Sequence, residues 1–66
     1  MKNDKTEITA KFIKESRIKL KLKQRELAKI VGKNRVDIAK YETMACMPPG
    51  DVILKIYDLL DLNNLL

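Results

Sequence analysis

Apolar residues recur at helical spacing in several segments of the chain, and no segment alternates apolar and polar residues as a half-buried strand would. Within residues 24–31, Leu27, Ile30 and Val31 share one side of a helix, with the small Ala28 beside them. Residues 52–60 repeat the pattern over a broader stripe. The chain is therefore predicted to be all-α.

Two short helices with a tight turn between them are predicted from residue 24 to residue 42. Gly32 follows the first helix, where a residue free to adopt positive φ is favoured. Asn34 is a suitable N-cap for a second helix over residues 35–42, in which Ile38 and Tyr41 lie three residues apart on one face. This order is typical of a helix-turn-helix motif, here placed at about residues 24–43.

A first helix is expected to begin near Thr6 or Thr9, either of which can act as a cap, and to continue to about Leu20. Its inward face is predicted to comprise Ile13, Ser16, Arg17 and Leu20, with Phe12 beside it. A charged side chain on an inward face needs a partner, so Arg17 is expected to form an ion pair.

The last helix is predicted to follow a break at Pro48, Pro49 and Gly50, because proline cannot continue a helix. Asp51 is the expected cap. The apolar stripe of this helix consists of Val52, Ile53, Ile56, Leu59 and Leu60.

The 66 residues are enough for one domain, which we expect to span residues 8–66 after a flexible polar arm at residues 1–7. With no histidine and Cys46 as the single cysteine, the sequence predicts no metal site, no cofactor and no intrachain disulfide. It also presents no catalytic constellation and no evident small-molecule ligand site. The absence of an apolar run of membrane-spanning length favours a cytoplasmic protein.

Positive charge is concentrated in the first part of the chain. Residues 1–40 contain 13 Lys/Arg and 5 Asp/Glu, a net charge of +8, whereas residues 41–66 contain 1 and 4, a net charge of −3. Such an asymmetry suits binding to a phosphate backbone, although solvated lysine-rich faces would give the same count.

The second helix of the motif is short enough to lie in a DNA major groove, and its outward residues offer base contacts. Arg35 can donate two hydrogen bonds to guanine, Val36 can pack on a thymine methyl group, and Lys40 can reach a base or a phosphate.

Asn34 can contact phosphate or adenine if it is not fully used as a cap. Asp37 would repel phosphate unless it accepts from cytosine or orients a neighbouring cation. Outside this helix, Lys33 is a candidate phosphate contact.

The spacing of several residues resembles that of the Cro/lambda-repressor (Xre) family of helix-turn-helix domains. The residues that match are Arg17, Gln24, Leu27, Ala28, Gly32, Ile38 and Glu42. The resemblance runs from Ile13 to Leu62, about three quarters of the chain. It implies a compact lambda-repressor-like fold of five helices that binds double-stranded DNA and regulates transcription.

The resemblance also implies roles for particular residues. Gln24 would meet a backbone phosphate or support a recognition side chain, and Arg17 would pair with Glu42 to link the first helix to the end of the third. The sequence departs from the family at Lys21, where glycine is frequent, and at Lys23, where serine or threonine is frequent. The loop over residues 43–50 lacks the basic residues frequent in the family, so only Thr43 and main-chain N–H groups remain there as phosphate donors.

Taken together, these features predict a sequence-specific regulator, a repressor that binds a palindromic operator as a homodimer. The candidate dimer contacts are Leu62, Leu65 and Leu66, because the fourth helix already supplies five apolar side chains to the core. The alternative is a protein-interaction module, such as an antitoxin-like partner, with the same fold and weak or no DNA binding. The uncharged loop and Asp37 favour this alternative.

Overall fold

The computed structural model describes residues 4–65 of the chain, and these residues form four helices and no strand. The helices are α1 (Asp4–Lys19), α2 (Gln24–Val31), α3 (Arg35–Glu42) and α4 (Gly50–Leu65). The all-α prediction is confirmed. Five helices were expected, but α4 continues without a break through the last leucine-rich segment, so the described part of the chain contains four. None of the four is both long and apolar enough to cross a membrane.

Helices α1 and α4 each begin closer to the N-terminus than the residue predicted to cap them. α1 starts at Asp4, so residues 4–7 belong to its first turn and not to an arm, while residues 1–3 lie outside the described part. Thr9 is inside the helix, where its hydroxyl donates to the carbonyl of Lys5 at 2.7 Å. Asp51 lies in the first turn of α4 and does not cap it. At that position its negative charge still interacts favourably with the helix dipole.

The first three helices end in the same way, with a residue in the left-handed region followed by a hydrogen bond back across the last turn. These residues are Lys21 at φ 60°, Gly32 at φ 75° and Met44 at φ 68°. After α1, for example, the Leu22 N–H donates to the Arg17 carbonyl at 3.0 Å. Only the middle position has glycine, the residue that adopts this conformation without steric cost.

The core lies where α1, α2, α3 and α4 meet, and α2 packs most closely against α3. Its fully buried side chains are Ile13, Leu27, Val31, Ile38, Val52 and Ile56. The predicted core residues of α4 are confirmed, since the remaining three, Ile53, Leu59 and Leu60, pack against this cluster. Ile30 was expected inside but is 48% exposed. It lies roughly 100° around the helix from Val31, toward the solvent side.

Candidate nucleic-acid interface

Helix α3 separates a buried apolar face from an exposed basic face. Ile38 is fully buried and Tyr41 is 7% exposed, and both pack in the core. Arg35 and Lys40 are exposed, and Val36 is 50% exposed. At about 100° per residue, Val36 and Lys40 lie on the side of the helix opposite Ile38, whereas Arg35, three residues before Ile38, is exposed on the flank beside it. The structure therefore orients them outward, as the sequence predicts.

The charges on this face are not neutralised by the protein. Among residues 5–64, no carboxylate lies within ion-pair distance of Arg35, Lys40 or Lys33. Arg35 and Lys40 are exposed and Lys33 is half-buried beside the turn. Their positive charges are consequently available to an external anion.

Asn34 and Asp37 form a reciprocal cap at the start of α3. The Asn34 Oδ1 atom accepts from the Asp37 N–H at 2.9 Å, and Asp37 Oδ2 accepts from the Asn34 N–H at 3.4 Å. The Asp37 carboxylate therefore contacts the helix terminus, and no ion pair joins it to Arg35 or Lys33 among the described residues. The side-chain NH2 group of Asn34 is not used in the cap and can still donate to DNA.

Arg17, Glu42 and Gln24 form a hydrogen-bonded cluster that joins three helices. The Arg17 Nε atom donates to Glu42 Oε2 at 2.7 Å and its Nη2 atom to Oε1 at 3.2 Å, which is the predicted ion pair. The side chains are 17% and 5% exposed, respectively. Arg17 Nη1 also donates to the Leu22 carbonyl at 3.0 Å. This planar, two-point pairing fixes the end of α3 against α1.

Gln24 extends the cluster to the first residue of α2. Its Nε2 atom donates to Glu42 Oε1 at 3.2 Å, so one end of the side-chain amide is held by the carboxylate. The residue is half-buried. The sequence gives no indication of this contact, because 18 residues separate the two partners.

The start of α2 relies on one cap hydrogen bond from a side chain. Glu26 Oε1 accepts from the Lys23 N–H at 2.7 Å. A lysine ammonium cannot accept the reciprocal bond that serine or threonine would accept. Lysine in place of serine or threonine at this position therefore leaves only half of a capping box.

Lys55 stabilises the turn between α2 and α3, a role that sequence reasoning did not assign to it. Its Nζ atom lies 3.5 Å from the carbonyl oxygen of Val31 and 3.9 Å from Asp51 Oδ2. A cation at the C-terminal end of a helix interacts favourably with the last carbonyl groups. Helix α4 therefore supports the motif as well as the core.

The loop after α3 offers few hydrogen-bond donors to an external ligand. The N–H groups of Thr43, Met44, Ala45 and Cys46 all donate to carbonyls of α3, at 2.9–3.4 Å. The Thr43 hydroxyl donates to the Ala39 carbonyl at 2.9 Å. Contrary to expectation, these groups are already engaged within the chain, so Thr43 is not a free phosphate donor in this conformation. Cys46 is exposed and carries a free thiol.

The Tyr41 phenol beneath the exposed face of α3 remains uncharged. Burial raises its pKa above the ordinary value near 10, and electrostatic interactions with Asp37, Cys46 and Asp51 raise it further. Since the neutral form is favoured, the phenol adds no negative charge to the interface at physiological pH.

At the C-terminal end of α4, Leu62 is 60% exposed. The side chain of Leu65 and the whole of Leu66 lie outside the described residues. The structure thus shows one of the three predicted dimer-contact leucines on the surface.

Two short packed helices joined by a glycine turn, with an unpaired basic face on the second, define a helix-turn-helix domain. In agreement with this class, a family model described as helix-turn-helix matches residues 13–63. The chain belongs to this family, the Xre type of the Cro and lambda-repressor proteins, whose members are DNA-binding regulators. No match was found among curated proteins or among solved structures.

Proposed function

We propose that this protein is a sequence-specific transcriptional repressor that binds a palindromic operator as a homodimer. The observation that carries the proposal is the face of α3 formed by Arg35, Val36 and Lys40. All three side chains are exposed, Val36 and Lys40 lie opposite the buried Ile38, and the two cations have no carboxylate partner among the described residues. An eight-residue helix is about 12 Å long, which suits insertion into a major groove about 12 Å wide.

Each residue on this face has a distinct role in the proposal. Arg35 donates two hydrogen bonds to O6 and N7 of a guanine, and Val36 packs on a thymine methyl group. Lys40 contacts a base or phosphate one turn further along α3. The NH2 group of the Asn34 side chain and the Lys33 ammonium contact phosphate beside the turn, and these contacts position the helix without reading sequence.

Gln24 has an indirect role in this arrangement. Because its Nε2 atom is hydrogen-bonded to Glu42, its amide orientation is set before DNA arrives. It therefore positions the start of α2 relative to α3, and the Oε1 atom remains as an acceptor. Preorganisation of this kind lowers the entropy that has to be lost on binding.

The homodimer is proposed from the end of α4. Leu62 is exposed there, and Leu65 and Leu66 follow it in the sequence. A two-fold contact between these segments would place two copies of α3 about 34 Å apart, the separation of successive major-groove sites on one side of a duplex.

Selection of bound sites from random duplex DNA tests this function directly. We expect enrichment of an inverted repeat whose half-sites contain a guanine at a fixed position. Affinity for the enriched site should then decrease steeply with rising salt concentration, because phosphate binding releases counterions. Recovery of no preferred sequence would contradict a sequence-specific regulator.

A protein-interaction module is the second candidate, and the loop after α3 favours it. That loop has no charged side chain from Thr43 to Gly50, and the N–H groups of residues 43–46 are engaged within the chain. A module of this class would show no measurable binding to duplex DNA at low salt, where electrostatic binding is strongest. The same salt titration therefore distinguishes the two functions.

A further inference from the structure

A depression of about 270 Å³ lies between α1 and the end of α3, at the edge of the helix-turn-helix motif. It is lined by Glu7, Ala10, Lys11 and Lys14 of α1 and by Glu42 and Met44. The helices meet there because Arg17 holds Glu42 against α1, with an Nε–Oε2 distance of 2.7 Å. The depression consequently adjoins the C-terminal end of the proposed recognition helix.

The cations of this depression are unpaired, whereas one of its two acids is neutralised. Glu42 is 5% exposed and is paired with Arg17 and hydrogen-bonded to Gln24. Lys11 and Lys14 are exposed, and neither has a carboxylate within ion-pair distance among the described residues. They are three residues apart and therefore lie on neighbouring positions of the same helix face.

Glu7 is the remaining acid of the depression, and its side chain is exposed. Because the depression has two lysines and only this one unpaired carboxylate, its net charge is positive. A ligand bound there must therefore be an anion small enough to contact both ammonium groups.

The opposite wall of the depression cannot supply equivalent donors. The N–H groups of Met44, Ala45 and Cys46 donate to carbonyls of α3 at 2.9–3.4 Å, and no charged side chain occurs between Thr43 and Gly50. An anion next to this end of α3 would therefore be bound from α1.

We propose that Lys11 and Lys14 form a binding site for a DNA backbone phosphate beside the C-terminal end of α3. The inference rests on the proposed function, since it assumes that α3 lies in the major groove. With α3 in that position, a phosphate strand borders each side of the groove. Two ammonium groups on α1 then contact the strand nearest Met44 and extend the DNA footprint beyond the helix-turn-helix motif.

Binding of the parent protein and its variants to the selected operator and to random duplex, at several salt concentrations, tests the site. Replacing both lysines, K11Q with K14Q, should remove one phosphate contact. The slope of log affinity against log salt should then decrease in magnitude by about 0.9, and affinity at about 0.1 M salt should fall about eightfold. The loss should be equal for both duplexes, because a phosphate contact carries no sequence information.

Three further variants isolate the site. The pair K11R with K14R retains both charges and should bind as the parent does. E7Q removes the competing carboxylate and should increase affinity. K5Q with K19Q makes the same charge change at two exposed positions of the same helix outside the lining of the depression, and should have a much smaller effect than K11Q with K14Q. Thermal melting of each variant verifies the fold.

The outcomes separate this inference from the proposed function. If the parent binds operator but K11Q with K14Q retains its affinity and salt slope, the phosphate site is wrong and the proposed function stands. An equal loss in K5Q with K19Q would assign the effect to net charge and also overturn the site. A parent protein that binds no duplex overturns the proposed function and this site with it.

Discussion

Lys21 occupies a backbone conformation that a glycine would adopt without strain. Its φ is 60°, and it ends α1 in the same manner as Gly32 ends α2. A left-handed conformation costs an L-residue with a side chain roughly 1–2 kcal/mol. At Gly32 an added Cβ atom would meet nothing closer than Lys55 Nζ at 3.8 Å, so conformation and not space makes glycine suitable there.

Lys21→Gly is therefore expected to stabilise the fold. The relief of strain should exceed the entropy that glycine adds to the unfolded chain, for a net gain of about 0.5–1 kcal/mol. A gain of this size should raise the melting temperature by several degrees in so small a domain. Lys14→Gly is the matched control inside α1, where the same substitution should lower stability by about 1 kcal/mol. If the melting temperature of the Lys21→Gly protein is lower than that of the parent, the backbone at Lys21 is not strained.

At the scale of elements, the orientation of α3 depends on contacts at both of its ends. Asn34 and Asp37 cap its start, and Glu42 at its end is held by Arg17 and Gln24. Helix α3 alone is too short to be stable in water. The exposed basic face is consequently a product of its packing against α1 and α2.

Removal of either partner of the Arg17–Glu42 pair should destabilise the protein. Arg17→Ala leaves a 5% exposed carboxylate without its cation, at a cost of about 3–5 kcal/mol. The double variant Arg17→Ala with Glu42→Ala should be less destabilised than the sum of the single variants. Urea unfolding of the four proteins measures the difference, and strict additivity would show that the pair is not coupled.

Arg35→Ala should weaken operator binding by about 1–3 kcal/mol and relax the preference at one base pair. The reason is the loss of two hydrogen bonds to a base edge while the helix itself remains folded. Arg25→Ala, an exposed position on α2, is the matched control and should change affinity for all sequences alike or not at all. If Arg35→Ala kept the parent's preference at every base pair, the proposed reading face would be misassigned.

At the scale of the whole molecule, charge and apolar surface are distributed unevenly. Residues 1–40 have a net charge of +8 and residues 41–66 a net charge of −3, so the two halves suit different partners. Helix α4 retains exposed apolar side chains at Leu54, Tyr57 and Leu62 after the core is complete. The basic half is proposed to bind DNA, and the end of α4 to bind a second copy.

Sedimentation at micromolar concentration should show a dimer for the parent protein. Leu62→Asn, or deletion of residues 63–66, should shift the equilibrium toward monomer and weaken operator binding. Leu54→Asn makes the same change at a 66% exposed position two turns earlier in α4 and should leave the dimer intact. A parent protein that sediments as a monomer and whose operator affinity is unaffected by the deletion would contradict the proposed interface.

Local physical chemistry explains why the motif was predictable. Apolar spacing, Gly32 and Asn34 act within one or two turns, and together they determine α2 and α3 at their observed boundaries. The Arg17–Glu42 pair was predictable for a different reason, since a charged residue on an inward face requires a partner. The family resemblance indicated which partner that is.

The features that only the tertiary structure determines are contacts between residues distant in sequence. The Gln24–Glu42 hydrogen bond, the contact of Lys55 with the Val31 carbonyl and the approach of Lys14 to Met44 join residues 18 to 30 positions apart. No local pattern encodes such contacts, because they arise only when helices pack. The same packing kept Ile30 outside the core. The sequence alone thus determined the helix-turn-helix motif, while packing determined how the end of α3 is held against α1 and α2 and hence which face of that helix is exposed.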